Sequence, residues 1–234
     1  MQLANATVFI TGANRGLGLA FARAALAAGA RKVYAAARDP ASITLPGVTP
    51  VALDVNNPSQ VAAAAADCGD VTLVINNAGI ATVGGLFEAG SIEATQRMME
   101  TNVYGTLRVS QAFAPVLAKN GGGALLNVLS VSSWISAPVL AGYAVTKAAA
   151  WSVTNGLRNE LRAQNTQVLG MHVGFIDTDL TRGFDAPKLA PEFVVERAFA
   201  ALQAGASEVA IDEWMQGIKR GLSNEPGIYI DLAR

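Results

Sequence analysis

The chain has 234 residues, a formal net charge of −1, one cysteine and an apolar fraction of 51%. This length suits one α/β domain, and the nearly balanced charge argues against nucleic acid or an anionic membrane as a partner. The single cysteine, Cys68, excludes an internal disulfide and argues against a structural metal site. No apolar run reaches the roughly 20 residues of a membrane span, and the first residues carry no signal-peptide pattern, so we expect a cytoplasmic protein.

Short apolar runs alternate with longer stretches of helical periodicity along the chain. This pattern predicts strands at 7–11, 32–37, 51–54, 71–76, within 121–130, at 167–173 and at 207–211. It predicts helices at 17–28, 58–67, 91–118, 142–163, 191–203 and 213–221. The alternation is typical of a doubly wound, Rossmann-type α/β fold, so we expect about seven parallel strands with helices on both faces, in a single domain over 1–234.

A glycine-rich turn, TGANRGLG at 11–18, joins the first predicted strand to the first helix. Glycines at this point of a doubly wound sheet let the backbone turn tightly and approach a pyrophosphate, which the N–H groups at the helix start can bind. The alternative is a tight turn without a ligand. The dinucleotide hypothesis assigns cofactor contacts to the following residues: Gly12, Asn14, Arg15, Gly16, Leu17 and Gly18.

The end of the second strand indicates which cofactor is used. An acidic residue there favours NAD, whereas a basic residue favours NADP because it can pair with the 2′-phosphate. Arg38 lies at this end, and Arg15 supplies a second guanidinium from the glycine turn. We therefore predict NADP(H). NAD(H) is the alternative because Asp39 could take the acidic role, and Arg38 could also be a solvated residue without a ligand.

Tyr143 and Lys147 lie four positions apart in a predicted helix, so their side chains share one face. A free phenol has a pKa of about 10, and a nearby ammonium would lower it toward the range useful for acid–base catalysis. Such a pair also occurs on ordinary helix surfaces. Ser130, at the end of the fifth strand, could hydrogen-bond a substrate oxygen, and Ser132 and Ser133 are rivals for that role.

Together these motifs resemble the short-chain dehydrogenase/reductase family, whose glycine motif is TGxxxGxG and whose catalytic tyrosine and lysine have the same spacing. The resemblance implies four catalytic residues: Asn102, Ser130, Tyr143 and Lys147. In the family the asparagine side chain holds a water linked to the lysine, and the lysine binds the nicotinamide ribose. Further cofactor contacts are implied for Tyr143, Asp54, Val55, Asn77, Ala78, Gly79, Gly174, Ile176 and Thr178.

Two segments depart from the family pattern. Val173 replaces the proline that usually precedes Gly174, and the segment between the second and third strands is short and broken by prolines where the family has a helix. The resemblance also implies that the loop 179–191 forms a wall of the substrate pocket. We predict substrate contacts from Ser130, Ser132, Trp134 and Tyr143, and a structural role for His172, the only histidine.

The activity implied by the resemblance is reversible hydride transfer between NADP(H) and a carbonyl or alcohol carbon of a small substrate, as in carbonyl reductases. A cofactor-binding regulator or redox sensor without turnover is the main alternative. An epimerase or dehydratase of the extended branch is a third, although the chain lacks that branch's length and glycine spacing. Family members pair through their two long helices, here 91–118 and 142–163, which implies a homodimer or homotetramer.

Overall fold

The computed structural model describes residues 1–230, with a seven-stranded parallel sheet at its centre. The strands are β1 (Thr7–Thr11), β2 (Lys32–Ala37), β3 (Thr49–Ala52), β4 (Leu73–Asn76), β5 (Ala124–Val128), β6 (Gln167–His172) and β7 (Glu208–Ala210). Their order across the sheet is β3-β2-β1-β4-β5-β6-β7. The order reverses between β1 and β4, which is where doubly wound sheets open a crevice for ligands at the carboxyl ends of the strands.

Helices cover both faces of this sheet and confirm the predicted doubly wound fold. They are α1 (Gly16–Ala27), α2 (Pro58–Asp67), α3 (Ser91–Met99), α4 (Thr106–Lys119), α5 (Ala141–Glu160), α6 (Pro191–Gln203) and α7 (Glu213–Gly221). A π-helical segment, Glu100–Gly105, joins α3 to α4 in one continuous helix. In the described residues no helix is both long and apolar enough to cross a bilayer, and no three potential metal ligands cluster.

Two apolar cores lie on opposite faces of the sheet, because the central strands are buried on both sides. On one face α1 meets α6, where the rings of Phe21 and Phe199 are 5.5 Å apart. On the other, the rings of Phe9 in β1 and Phe113 in α4 are 4.5 Å apart. These cores position the carboxyl ends of the strands, which all lie at the same end of the sheet.

The segment between β2 and β3 carries only a short 3-10 turn, Pro40–Ser42, as its prolines predict. The third strand covers Thr49–Ala52 rather than 51–54, so Asp54 lies in the loop after it. The predicted helix 91–118 is interrupted by the π-helical segment, and the predicted helix 142–163 ends at Glu160 and continues as a 3-10 turn.

Candidate active site

The glycine turn between β1 and α1 has the geometry of a phosphate cradle. Gly12 and Gly16 adopt φ angles of 66° and 53°, which side chains other than glycine rarely tolerate. Gly18 has ordinary helical geometry, but a Cβ there would lie 2.1 Å from the carbonyl oxygen of Gly12. The three glycines therefore allow the turn and the close approach of helix to strand that a pyrophosphate site needs.

The loop after β4 closes one side of this cradle. The Thr11 hydroxyl accepts hydrogen bonds from the backbone N–H groups of Asn77 and Ala78, both at 3.0 Å. The Asn77 amide donates to the carbonyl oxygens of Thr11 and Gly12 at 2.9 and 3.1 Å. The structure thus brings Asn77 and Ala78, two of the predicted cofactor contacts, against the glycine turn, and Thr11 is the hydroxyl that connects them.

The predicted adenine side lies around the end of β2. Arg38 is exposed there, whereas Asp39 caps the 3-10 turn by accepting a hydrogen bond from the Ala41 N–H at 3.0 Å. The Asn14 amide donates to the Ser42 hydroxyl at 3.1 Å, which ties the glycine turn to this segment. One Asp39 carboxylate oxygen is thus engaged by the backbone, and this strand end presents the exposed side chains of both Arg38 and Asp39.

Asp54 and Val55 lie in the loop between β3 and α2, at the carboxyl end of β3. One Asp54 carboxylate oxygen accepts a hydrogen bond from the Asn56 N–H at 2.9 Å. The Val55 side chain packs so closely on the π-helical segment that a Cβ on Gly105 would lie 2.7 Å from its Cγ2. Val55 is therefore a structural contact as well as a predicted adenine contact.

Ser130 and Tyr143 meet where β5 ends and α5 begins. The Ser130 hydroxyl accepts a hydrogen bond from the Ser132 N–H at 3.1 Å and caps the short turn that follows. Burial raises the pKa of Tyr143 to about 12, although its hydrogen bond with Ser130 acts in the opposite direction. The pKa of this phenol is therefore raised rather than lowered in the structure, because burial outweighs the contribution of Ser130.

Ser133, the second rival, is buried, and its hydroxyl lies 3.4 Å from the Ser130 N–H. Ser132 is partly exposed. The structure therefore favours Ser130 as the serine paired with Tyr143, with Ser132 next to it.

Lys147 lies one turn further along α5 with 7% of its surface exposed. Its ammonium donates a hydrogen bond to the Val128 carbonyl at 2.9 Å and lies 5.6 Å from the centre of the Tyr143 ring. Burial lowers the pKa of Lys147 to about 8. The ammonium is thus anchored to β5 beside the phenol ring.

Asn102 lies in the π-helical segment and is 2% exposed. Its amide nitrogen donates to the Ile80 carbonyl at 2.9 Å and to the Thr146 hydroxyl at 3.1 Å. Its amide oxygen accepts from the Ile80 N–H at 2.8 Å. Both amide hydrogens have partners, so the side chain links the loop after β4 to α5.

Thr146 is a site residue that the sequence reasoning missed. Its hydroxyl accepts from Asn102 and donates to the Tyr143 carbonyl at 2.8 Å. The signal available in the sequence was a threonine hydroxyl between the tyrosine and the lysine of the motif, and the structure buries it.

The segment after β6 brings the predicted nicotinamide contacts to the same edge. The Val173 carbonyl accepts a hydrogen bond from the Val131 N–H at 2.8 Å, which anchors the loop without the family's proline. Ile176 is buried, and a Cβ on Gly16 would lie 3.3 Å from the Thr178 methyl. A Cβ on Gly174 would approach the Met215 methyl to 3.2 Å, so these residues border the glycine cradle and α7.

The end of the predicted substrate loop 179–191 is hydrogen-bonded to the segment just before the start of the loop. Leu189 donates its N–H to the Phe175 carbonyl and accepts from the Asp177 N–H, both at 2.9 Å. Near its start, the Asp179 carboxylate lies 3.6 Å from the Arg15 guanidinium and also pairs with Arg182. The loop is therefore held beside the glycine turn.

Trp134 is placed differently from the prediction of a substrate wall. It is 7% exposed and stacks on the His172 ring at 3.9 Å between centroids, so it has little surface to offer a substrate. Trp214, on α7, is 56% exposed and lies 3.7 Å from the position of a Cβ on Gly174. It is the tryptophan better placed to face a ligand.

Comparison with known proteins places this geometry in a family. The family model described as short chain dehydrogenase matches residues 6–188. A short chain dehydrogenase from Burkholderia cenocepacia, solved in complex with NADP, superposes with a TM-score of 0.95 and 39% identity over 100% of both chains. An uncharacterized oxidoreductase of Staphylococcus aureus is 28% identical over 86% of this chain and 92% of its own length.

Dehydrogenase/reductase SDR family member 7B from Bos taurus is 32% identical over 195 residues, which are 76% of this chain and 60% of that protein. The chain spans between 44% and 62% of the length of this and two further curated relatives. The family model covers most of the chain, and the glycine turn and the serine, tyrosine and lysine meet at one sheet edge. The chain belongs to the short chain dehydrogenase family.

Proposed function

We propose that the protein is an NADP(H)-dependent oxidoreductase that interconverts a carbonyl and an alcohol on a small substrate. The observation that carries the proposal is the position of the Tyr143 phenol, next to Ser130 and with its ring centre 5.6 Å from the buried Lys147 ammonium. These groups lie at the same sheet edge as the glycine cradle. The full-length match to a Burkholderia cenocepacia protein in complex with NADP supports the choice of cofactor.

The residues of the chain fit a dinucleotide at this edge. The cradle of Gly12, Gly16 and Gly18 leaves no room for a Cβ at its closest point. The exposed Arg38 presents positive charge for a 2′-phosphate, and Arg15, whose guanidinium lies 3.6 Å from the Asp179 carboxylate, is the second candidate. The nicotinamide, when bound, would supply or accept the hydride. Ile176, Thr178 and Lys147 remain the predicted contacts on the nicotinamide side.

Tyr143 is the proton donor in the direction of carbonyl reduction. Because burial raises the pKa of Tyr143 to about 12, the phenol is protonated at neutral pH and can give its proton to the oxygen of a carbonyl. Ser130 holds that oxygen by a hydrogen bond as negative charge develops. The Lys147 ammonium, next to the ring, stabilises the phenolate that remains.

The first experiment measures NADPH and NADH oxidation by the purified protein against a panel of aldehydes, ketones and diketones, with Tyr143→Phe as the test variant. Tyr104→Phe, which alters an exposed tyrosine, is the matched control. We expect turnover with NADPH that is lost in Tyr143→Phe and kept in Tyr104→Phe, with NADPH binding retained in all three proteins. Turnover that survives Tyr143→Phe would disprove the catalytic assignment.

The runner-up is a regulator or redox sensor that binds NADP(H) without turnover. NADPH binding with no oxidation on any carbonyl of the panel would favour it. Against it stand the four catalytic candidates. Ser130 lies next to Tyr143, Lys147 lies beside the Tyr143 ring, and Asn102 donates a hydrogen bond to Thr146 in the same helix. A cofactor binder needs no serine–tyrosine pair.

Assembly as a homodimer or homotetramer is part of the proposal. The helices expected to pair carry exposed apolar side chains, among them Ile92 on α3, Tyr104 on the π-helical segment and Val145 on α5. Apolar side chains grouped on one surface are typical of an interface. A cytoplasmic location stays a prediction.

A further inference from the structure

His172, at the end of β6, faces two hydrogen-bond acceptors. Its Nδ1 lies 3.1 Å from the Ser130 carbonyl oxygen and its Nε2 lies 2.9 Å from the Oε1 atom of Glu208. A neutral imidazole has one N–H and an ionised carboxylate has none. Without a further proton, one of these two contacts would set a lone pair against a lone pair.

Glu208, in β7, connects the histidine to two other elements. Its Oε1 also accepts a hydrogen bond from the Trp151 indole on α5 at 2.9 Å, and its Oε2 pairs with Lys219 on α7. The His172 ring is itself held by its stack on Trp134, with an interplanar angle of 23°. This packing leaves Nδ1 directed at Ser130.

The Ser130 carbonyl is therefore fixed from two sides. Its oxygen lies 3.1 Å from His172 Nδ1 and accepts a hydrogen bond from the backbone N–H of Ser133 at 2.9 Å. The orientation of this peptide group sets where the Ser130 side chain points, because Cα and Cβ follow the backbone. His172 thus acts on the hydroxyl that meets Tyr143 without touching a substrate.

We propose that His172 and Glu208 form a positioning pair for Ser130, in which one proton held between Nε2 and Oε1 keeps Nδ1 protonated and bonded to the Ser130 carbonyl. The effect on catalysis rests on the proposed function, whereas the proton arrangement does not. The residues are positioning residues, since neither reaches the reacting atoms.

The charges around the ring oppose a full positive charge on it. Lys147 and Arg158 on α5 and Lys219 on α7 oppose a positive ring, and burial lowers the pKa of His172 to about 3, while the Ser130 carbonyl acts in the other direction. A proton shared with Glu208 keeps Nδ1 protonated without placing a full charge on the imidazole. An ionised Glu208 alone would instead draw the single N–H to Nε2 and leave Nδ1 bare.

Nuclear magnetic resonance can detect the protons on the His172 ring nitrogens without overlap, because His172 is the only histidine. In the full-length protein labelled with ¹⁵N-histidine, we expect a proton on Nδ1 at neutral pH. Glu208→Gln should keep it, since the glutamine amide can donate to Nε2, and Glu208→Leu should keep it as well, since the Ser130 carbonyl is then the acceptor left to the ring. In both variants Nε2 should lose the shared proton that it carries in the wild type. A bare Nδ1 in the wild-type protein would overturn the proposal, whatever the protein's activity.

Kinetics test the positioning role. We expect Glu208→Leu to lower kcat about tenfold while the KM for NADPH is unchanged, and Glu208→Gln to restore kcat. Trp151→Phe and Lys219→Met are the controls, because they remove the other partners of Glu208 and leave its contact with His172. An unchanged kcat in Glu208→Leu, or an equal fall of kcat in the controls, would contradict the positioning role. Turnover that survives Tyr143→Phe would instead contradict the proposed function.

Discussion

Lys147 is the residue of the site whose burial costs the folded state most. Its pKa falls from the ordinary value of 10.5 to about 8, so the folded protein binds this proton less well than the unfolded chain does. The penalty is fully present below pH 8 and disappears as the pH rises above 10.5. We expect Lys147→Met to abolish turnover and to raise the free energy of unfolding at pH 7 by about 2 kcal/mol, after allowing for the lost hydrogen bond to Val128.

Urea denaturation at two pH values checks this prediction. The gain at pH 7 should shrink between pH 8 and pH 10.5 and vanish above pH 10.5, where Lys147 becomes neutral in the unfolded chain as well as in the folded one. Lys119→Met, at the exposed end of α4, should change the stability little at either pH. A Lys147→Met protein less stable than wild type at pH 7 would show that the bond to Val128 outweighs the burial of the charge.

Arg38 decides the cofactor in the proposal. A guanidinium paired with a 2′-phosphate contributes a charge-assisted hydrogen bond that NADH cannot make, so Arg38→Ala should weaken NADPH binding by about tenfold or more and leave NADH binding unchanged. Fluorescence titration with both cofactors measures the two dissociation constants. Arg23→Ala, an exposed arginine of α1, is the matched control. Equal weakening of both cofactors would remove Arg38 from phosphate recognition.

Much of the site was predictable at the scale of single residues, because short spacings along the sequence determine it. The four-residue step from Tyr143 to Lys147 and the position of Ser130 at a strand end are local facts. The partners of Asn102 were not predictable, since Ile80 belongs to a loop 22 residues earlier and Thr146 to a helix 44 residues later. The raised pKa of Tyr143 likewise depends on burial by elements distant in the chain.

Among the elements, the π-helical segment between α3 and α4 is the feature that periodicity could not reveal. The apolar pattern of 91–118 continues through it, and only the surroundings select the wider turn. The segment turns Asn102 toward Ile80 and sets Gly105 against Val55. Both contacts come from loops that follow other strands. The prediction of one helix was therefore right in length and wrong in its internal geometry.

Substitution of Gly105 tests its close contact with Val55. A Cβ there would lie 2.7 Å from the Val55 Cγ2, so Gly105→Ala should lower the free energy of unfolding by about 1–3 kcal/mol through overpacking. The double variant Gly105→Ala/Val55→Ala should recover part of that loss. Gly156→Ala in α5, with no atom within 4 Å of its Cβ position, should instead be neutral or stabilising by up to about 1 kcal/mol. Equal effects of the two single glycine variants in urea denaturation would contradict the close contact.

At the scale of the whole molecule, the sheet order brings distant residues to one edge. The alternation of strands and helices was sufficient to predict a parallel sheet with helices on both faces, but not the order of its strands. It was not sufficient to predict that His172 meets Glu208, since β7 is short and its register against β6 determines the contact. The network behind Ser130 is thus a property of the folded domain, whereas the glycine turn is readable in the sequence.

The outer face of α3 provides the last prediction, which concerns assembly. Ile92 is 70% exposed and Phe87 is fully exposed, with Leu86 and Tyr104 also exposed beside the same helix. If two copies pair through this face, a charge in its middle should prevent pairing, because an uncompensated carboxylate cannot be buried there. We expect light scattering to show a dimer or tetramer for the wild type and a folded monomer for Ile92→Glu. Leu180→Glu, at an exposed leucine of the loop 179–191, should leave the mass unchanged, whereas a monomeric wild type would contradict the proposed assembly.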